Sequence, residues 1–171
     1  DPVLFQAIPS QQTREDAQAR LAARMGELPP TPKTGFVGRS RELLALQRLL
    51  RTERYAVVRG QGGEGKTALA AEFARWMVRS QQVSRAAFVS VELHGNLRAV
   101  VDALGGQLVG TNFSAAGELE DAIKGVERAL REQATLLVVD NMESILLPPF
   151  MKEETPEALT EDARRELDTI L

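Results

Sequence analysis

The chain of 171 residues contains no cysteine and only one histidine, His94. The lack of cysteine excludes disulfides and thiolate metal sites, and it is compatible with a reducing compartment, so we expect a cytoplasmic protein. A single histidine with no cysteine or carboxylate cluster around it does not predict a metal centre or a catalytic triad. We therefore expect His94 to be an ordinary loop residue.

Long hydrophobic runs and blocks of basic residues are also missing. No apolar run approaches the roughly 18 residues that a membrane span needs, so we expect no membrane segment. The formal net charge is −3, which argues against a broad nucleic-acid-binding surface. The first residue is aspartate rather than methionine, and we interpret the sequence as part of a longer protein.

The strongest pattern in the chain is Gly-Gln-Gly-Gly-Glu-Gly-Lys-Thr at residues 60–67. It matches the phosphate-binding P-loop, or Walker A motif. Residues 55–59 before it are apolar and β-branched and predict a buried strand. Residues 67–79 after it contain no glycine or proline and predict a helix. A strand, a glycine-rich loop and a helix N-terminus in this order predict a binding site for a nucleoside triphosphate.

Each residue type in the P-loop has a physical role. The glycines permit positive φ and close approach of the backbone to phosphate. The Lys66 ammonium is expected to contact the β- and γ-phosphates, and the Thr67 hydroxyl is expected to bind Mg²⁺. The nucleotide-binding residues predicted here are Gly60, Gln61, Gly62, Gly63, Glu64, Gly65, Lys66, Thr67 and Ala68.

A second pattern, Thr-Leu-Leu-Val-Val-Asp at residues 135–140, resembles a Walker B strand. In that motif an apolar buried strand ends in an aspartate that holds Mg²⁺. We therefore predict that Asp140 and Thr67 form the metal site, and that Lys66 and Asp140 act in catalysis. ATP or ADP with Mg²⁺ is the expected ligand, because the guanine-specific pattern Asn-Lys-x-Asp is absent.

The residues around these motifs resemble one family of P-loop ATPases. Phe36-Val37-Gly38-Arg39 is similar to the short element that precedes the P-loop in STAND-class ATPases, of the NACHT and AP-ATPase kind, and in their AAA+ relatives. The resemblance implies that Val37 and Gly38 pass beside the adenine and that Arg39 lies near the nucleotide. Residues 1–6 also resemble the end of a caspase-like CHAT peptidase domain, which often precedes such ATPases in bacteria.

The residue after the Walker B aspartate bears on the rate of hydrolysis. Motor-type AAA+ enzymes carry glutamate there as the general base, whereas this chain has Asn141. A neutral amide can orient water but cannot accept its proton. Glu143 is the candidate substitute base, and a solvated loop position is an equal alternative. The run from Leu136 to Ser144 resembles the STAND pattern more than the motor pattern.

These features predict an α/β fold, a three-layer α/β/α P-loop NTPase sandwich. The resemblance implies the additional-strand type, in which a further strand inserts between the P-loop strand and the Walker B strand. Three strand candidates are present from the P-loop onward, so we expect the chain to stop short of that strand, with a gap between residues 55–59 and 135–140. Such a fragment is expected to aggregate and to lack ATPase activity by itself. Prolines at 29, 30 and 32 predict a stiff linker, so we divide the chain into a tail at 1–33 and an NTPase domain at 34–171.

The resemblance to STAND proteins implies a nucleotide-controlled signalling switch that hydrolyses ATP slowly. Its expected partners are the nucleotide, other domains of the same chain, and further copies in an assembled state. Two alternatives stay open: an AAA+ motor or loader that acts on DNA or protein, and a non-catalytic interaction fragment with a vestigial P-loop. The intact Lys66, Thr67 and Asp140 argue against the last alternative.

Overall fold

A computed structural model describes residues 10–110, 113 and 117–145. Thr155-Pro156 and the apolar spacing after them predict a last helix, and this helix, like the predicted peptidase-like tail at 1–6, lies outside this part of the chain. A 3₁₀ turn, Met142–Ile145, follows the second strand. The helices are α1 (Gln11–Ala23), α2 (Ser40–Thr52), α3 (Lys66–Arg79), α4 (Val91–His94), α5 (Leu97–Leu108) and α6 (Leu119–Glu132), and the strands are β1 (Arg85–Ser90) and β2 (Thr135–Asp140).

The two strands pair in parallel and have helices on both faces. The register runs from Arg85 opposite Thr135 to Ser90 opposite Asp140, so both strands end at the same edge of the sheet. One face of the sheet packs on α5 and α6, and the other packs on α3. Parallel strands covered on both sides are typical of α/β folds. The described elements therefore agree with the predicted α/β fold class. The buried residues of the first cluster are Ala87, Val89, Leu97, Val100, Val101, Leu104, Leu108, Val126 and Ala129, and those of the second are Ala74, Val78 and Ala86.

The strand predicted at residues 55–59 is not formed, and this prediction is wrong. The segment leads into the P-loop without ladder pairing, and Tyr55 and Val57 are 77% and 64% exposed. A strand is defined by backbone hydrogen bonds to a neighbour, so an apolar run with no strand beside it stays irregular. The described sheet consists of β1 and β2 alone. Residues 55–59 therefore do not pair with β2 in that sheet. Such pairing would have contradicted the expected strand order.

Helix α1 begins earlier than the sequence predicts, and its end packs on the domain. Thr13 with Asp16 three residues later resembles a capping box and predicts Thr13 as the cap, but the Ser10 hydroxyl accepts the Thr13 backbone N–H at 3.2 Å and caps the helix. After the helix, the Arg24 carbonyl accepts the Ala86 backbone N–H at 2.8 Å, along the edge of β1 that faces away from β2. The residues just before the predicted linker thus cover a strand edge of the nucleotide domain. The boundary at residue 33 stays a prediction.

Gln107 covers the same outer edge of β1. Its amide oxygen accepts the Phe88 N–H at 3.0 Å, and its amide nitrogen donates to the Phe88 carbonyl at 2.8 Å. The Glu27 N–H also donates to the Gln107 oxygen, at 3.1 Å. One side chain therefore pairs with the strand as a neighbouring backbone would, and it joins the segment after α1 to α5.

We predict that Gln107→Leu destabilises the fold by about 2 kcal/mol, because half-buried backbone groups of β1 lose their partners. The measurement is urea unfolding of the chain followed by circular dichroism. Gln82→Leu on the exposed surface is the matched control and should leave the midpoint unchanged. Equal midpoints for the Gln107 variant and the parent chain would contradict the structural role of Gln107.

Candidate nucleotide-binding site

The P-loop joins the irregular segment at 53–61 to the first turn of α3. Gly63 and Gly65 have φ of 82° and 75°, which a residue with a side chain adopts only with strain. Gly65 is the N-cap of α3, and Lys66 is the first helical residue. The free N–H groups and the positive end of the helix dipole are therefore directed into the loop, where they favour an anion. Helix α3 confirms the helix predicted after the motif.

Two charged side chains of the P-loop bond to its own backbone. The Lys66 ammonium donates to the carbonyls of Gly60 and Gln61 at 3.0 and 3.1 Å. The Glu64 carboxylate accepts the Gln61 N–H at 2.9 Å. The lysine charge is thus concentrated at the loop, in the position where negatively charged phosphates are expected to bind.

The two predicted metal ligands lie side by side. The Thr67 hydroxyl donates to the Asp140 carboxylate at 2.7 Å, although the two residues are 73 positions apart. The contact arises because α3 packs beside β2 and Asp140 ends that strand. A hydroxyl and a carboxylate are hard oxygen donors of the kind that Mg²⁺ prefers. The pair fits a Mg²⁺ ion, which would neutralise phosphate charge there.

Asn141, directly after Asp140, contacts the end of the neighbouring strand. Its amide nitrogen donates to the Glu92 carboxylate at 2.7 Å and to the Ser90 hydroxyl at 3.3 Å. Asn141 has φ of 57°, in the left-handed region that asparagine tolerates better than most residues. Since the nitrogen is engaged, the amide oxygen is the group that remains to accept a hydrogen bond from water. The side chain of Glu143 lies outside the described part of the chain, so its role as a base stays a prediction.

Sequence reasoning missed Glu92. Its position just after β1 could have indicated it, because the carboxyl ends of parallel strands meet at one edge of the sheet, where Asp140 also lies. His94 was expected in a loop and instead ends the short helix α4.

Arg39 reaches the P-loop from the element that resembles the STAND pattern. Its guanidinium donates to the carbonyls of Glu64 and Gly65 at 3.0 and 3.4 Å and forms an ion pair with Glu42 at 3.2 Å. The pKa of Glu42 lies below its usual value because its own backbone amide, and then Arg39, hydrogen-bond to the carboxylate. Serine is a favoured N-cap residue, so the sequence predicts that Ser40 caps α2, but the helix starts at Ser40 and Arg39 is the N-cap. The side chain of Val37, which was expected to pass beside the adenine, is 82% exposed.

A cavity of about 440 Å³ lies beside the P-loop, within the range of small-molecule sites. Six of its lining residues were not predicted as site residues: three prolines of the predicted linker, Ala71 and Arg75 of α3, and Asn141. Composition identified the prolines as a stiff segment but could not place them against the loop. The lining consists of Pro29, Pro30, Pro32, Gly62, Gly63, Gly65, Lys66, Thr67, Ala68, Ala71, Arg75 and Asn141.

Comparison with known proteins agrees with this geometry. A family model described as an AAA domain matches residues 48–169, more than half of the chain, and includes the P-loop and Asp140. Neither the comparison with curated proteins nor the comparison with solved structures found a significant match. Among the described residues, no helix has the length and apolar character needed to cross a membrane. The chain belongs to the AAA-domain family of P-loop ATPases, and it therefore has a P-loop α/β fold that binds nucleotide.

Proposed function

We propose that this domain is a STAND-type nucleotide switch, which binds MgATP, hydrolyses it slowly, and controls assembly or activation of a larger multidomain protein. The observation that carries the proposal is the side chain at position 141. It lines the cavity beside the P-loop, and it is an amide whose nitrogen is already bonded to Glu92. A site that binds phosphate through a P-loop but has no carboxylate at position 141 favours retention of nucleotide over rapid turnover.

The roles of the individual residues follow from the contacts described above. Lys66 and the P-loop amides bind the phosphates, and Thr67 and Asp140 provide the oxygen ligands for Mg²⁺. Arg39 ties the segment before α2 to the P-loop carbonyls. A change in the loop on nucleotide exchange is therefore transmitted to α2 and to the segment that precedes it. Self-association and contacts with other domains are part of the proposal.

We expect turnover of MgATP by the chain, in its full-length context, to stay below about 1 s⁻¹, the low end of ordinary enzyme rates. The measurement is phosphate release at saturating MgATP, in the absence of any partner. A motor or loader ATPase is equally compatible with the AAA-domain family. Rapid turnover without a partner would contradict the switch and favour the motor.

Asn141→Glu is expected to raise turnover by about tenfold or more, because a carboxylate can accept the proton of the attacking water. Asn141→Gln is the matched control. It has nearly the same size and the same unfavourable left-handed backbone, but it cannot act as a base. A rise in both variants, or in neither, would show that the proton acceptor at this position does not limit the rate.

The proton acceptor of the slow reaction is identified by two further variants. Glu143→Gln and Glu92→Gln each remove one carboxylate near Asn141 in sequence or in space. The variant that loses turnover and keeps its affinity for MgATP identifies the residue that serves as the base. Unchanged turnover in both indicates a water that Asn141 orients without help from either carboxylate.

A further inference from the structure

The predicted linker and the P-loop line the same open cavity. Its polar part consists of P-loop residues, among them Lys66 and Thr67, and of Asn141. Its remaining lining is formed by proline rings at 29, 30 and 32, by the methyl groups of Ala68 and Ala71, and by Arg75. A triphosphate bound by the loop fills the polar part, and the base and ribose need a surface elsewhere. Ligand sites are commonly lined by apolar groups with a few polar ones that set the orientation.

Arg75 fastens the prolines to helix α3. Its guanidinium donates to the Pro29 carbonyl and to the Glu72 carboxylate, and the residue is only 7% exposed. A buried guanidinium without partners would be costly, so these contacts hold both the arginine and the linker in place. Arg75 and Pro29 are 46 positions apart, which makes this a tertiary contact rather than a local turn.

The segment on the N-terminal side of the prolines is anchored as well. The Arg24 guanidinium donates to the carbonyls of Val83 and Ser84, ahead of β1. Leu28 packs on the cluster formed by Ala74 and Val78 of α3 and Ala86 of β1. The prolines have fixed φ and no N–H, so a segment anchored in this way has little freedom to leave the cavity.

We propose that Pro29, Pro30 and Pro32 form the nucleoside-binding wall of the site and that Arg75 is the residue that positions this wall. The inference rests on the proposed nucleotide binding and adds where the base and ribose lie. It differs from the expectation at Val37 and Gly38, since neither residue lines the cavity. Apolar proline rings and the planar guanidinium of a buried arginine are suited to contact a planar base. Occupation of this wall also joins the nucleotide to the segment that follows α1.

The test uses two ligands that share phosphates but differ in the nucleoside. MgATP and magnesium tripolyphosphate are each titrated calorimetrically into the chain in its full-length context. The double variant Pro30→Gly with Pro32→Gly is expected to raise the Kd for MgATP about tenfold, a loss of about 1.4 kcal/mol. It should leave the Kd for magnesium tripolyphosphate unchanged. Thr31→Gly is the matched control, since Thr31 lies between the two prolines and does not line the cavity.

Arg75→Gln is the second variant and should show the same selective loss of MgATP affinity. If this variant is too unstable to titrate, the proline variant decides the question. Equal MgATP affinity in the proline variant and the parent chain would overturn the wall, as would an equal loss for both ligands. A parent chain that binds neither ligand would overturn the proposed nucleotide binding itself, which is a different result from either of these.

Discussion

Replacing Lys66 by alanine is expected to abolish tight binding of MgATP. The Lys66 ammonium lies at the first turn of α3, within 3.1 Å of two P-loop carbonyls. Triphosphate carries several negative charges, and a charge-assisted hydrogen bond contributes about 1.5–3 kcal/mol. We therefore expect the Kd to rise by about a hundredfold or more, measured by calorimetry on the chain in its full-length context.

The control for this prediction removes a positive charge elsewhere. Lys124→Ala on the exposed face of α6 lowers the net charge by the same amount and should leave the Kd unchanged. Circular dichroism of both variants checks that the fold is retained. If the Lys66 variant binds MgATP as the parent chain does, residues 60–67 are not the phosphate site.

The local patterns of the sequence predict most of the helices and both ends of β2, whereas they predict β1 one residue too late, at 86–91. The P-loop spacing indicates where α3 starts, and the apolar run that ends at Asp140 indicates β2. Hydrophobic spacing also predicts α6 and the first part of α5, but Gly105 and Gly106, which were expected to interrupt α5, lie inside it. These elements are predictable because their signals lie within a dozen consecutive residues, where periodicity and capping act.

The strand expected at 55–59 does not form, because its formation does not depend on local signals alone. Its composition is that of a buried strand, but strand formation depends on a neighbour that is distant in sequence. The contact of Asn141 with Glu92 joins residues 49 positions apart, and that of Arg75 with Pro29 joins residues 46 positions apart. The position of Glu92 after β1 indicates only the edge of the sheet where it lies, and no local pattern indicates Pro29 as the partner of Arg75. The chemistry of the phosphate site could therefore be predicted from sequence, whereas the residues around it required the tertiary structure.

Asp140→Ala is expected to remove the effect of Mg²⁺ on nucleotide binding and to abolish turnover. The Asp140 carboxylate lies 2.7 Å from the Thr67 hydroxyl, and both oxygens suit Mg²⁺. Without the carboxylate, the ion has lost its charged protein ligand, while the P-loop amides and Lys66 still contact the phosphates. We therefore expect the Kd for ATP in excess chelator to be unchanged, and the gain in affinity on addition of Mg²⁺ to fall by about tenfold or more.

Asp140→Asn separates the charge from the packing. Its side-chain oxygen can still accept the hydrogen bond from Thr67, so the contact between α3 and β2 is retained, but the negative charge is gone. We expect this variant to unfold at the same urea concentration as the parent chain and to show the same loss of Mg²⁺ dependence as the alanine variant. An unchanged Mg²⁺ titration of binding and activity in Asp140→Asn would rule out the metal role. A loss confined to the alanine variant would instead assign Asp140 to the structure of the site.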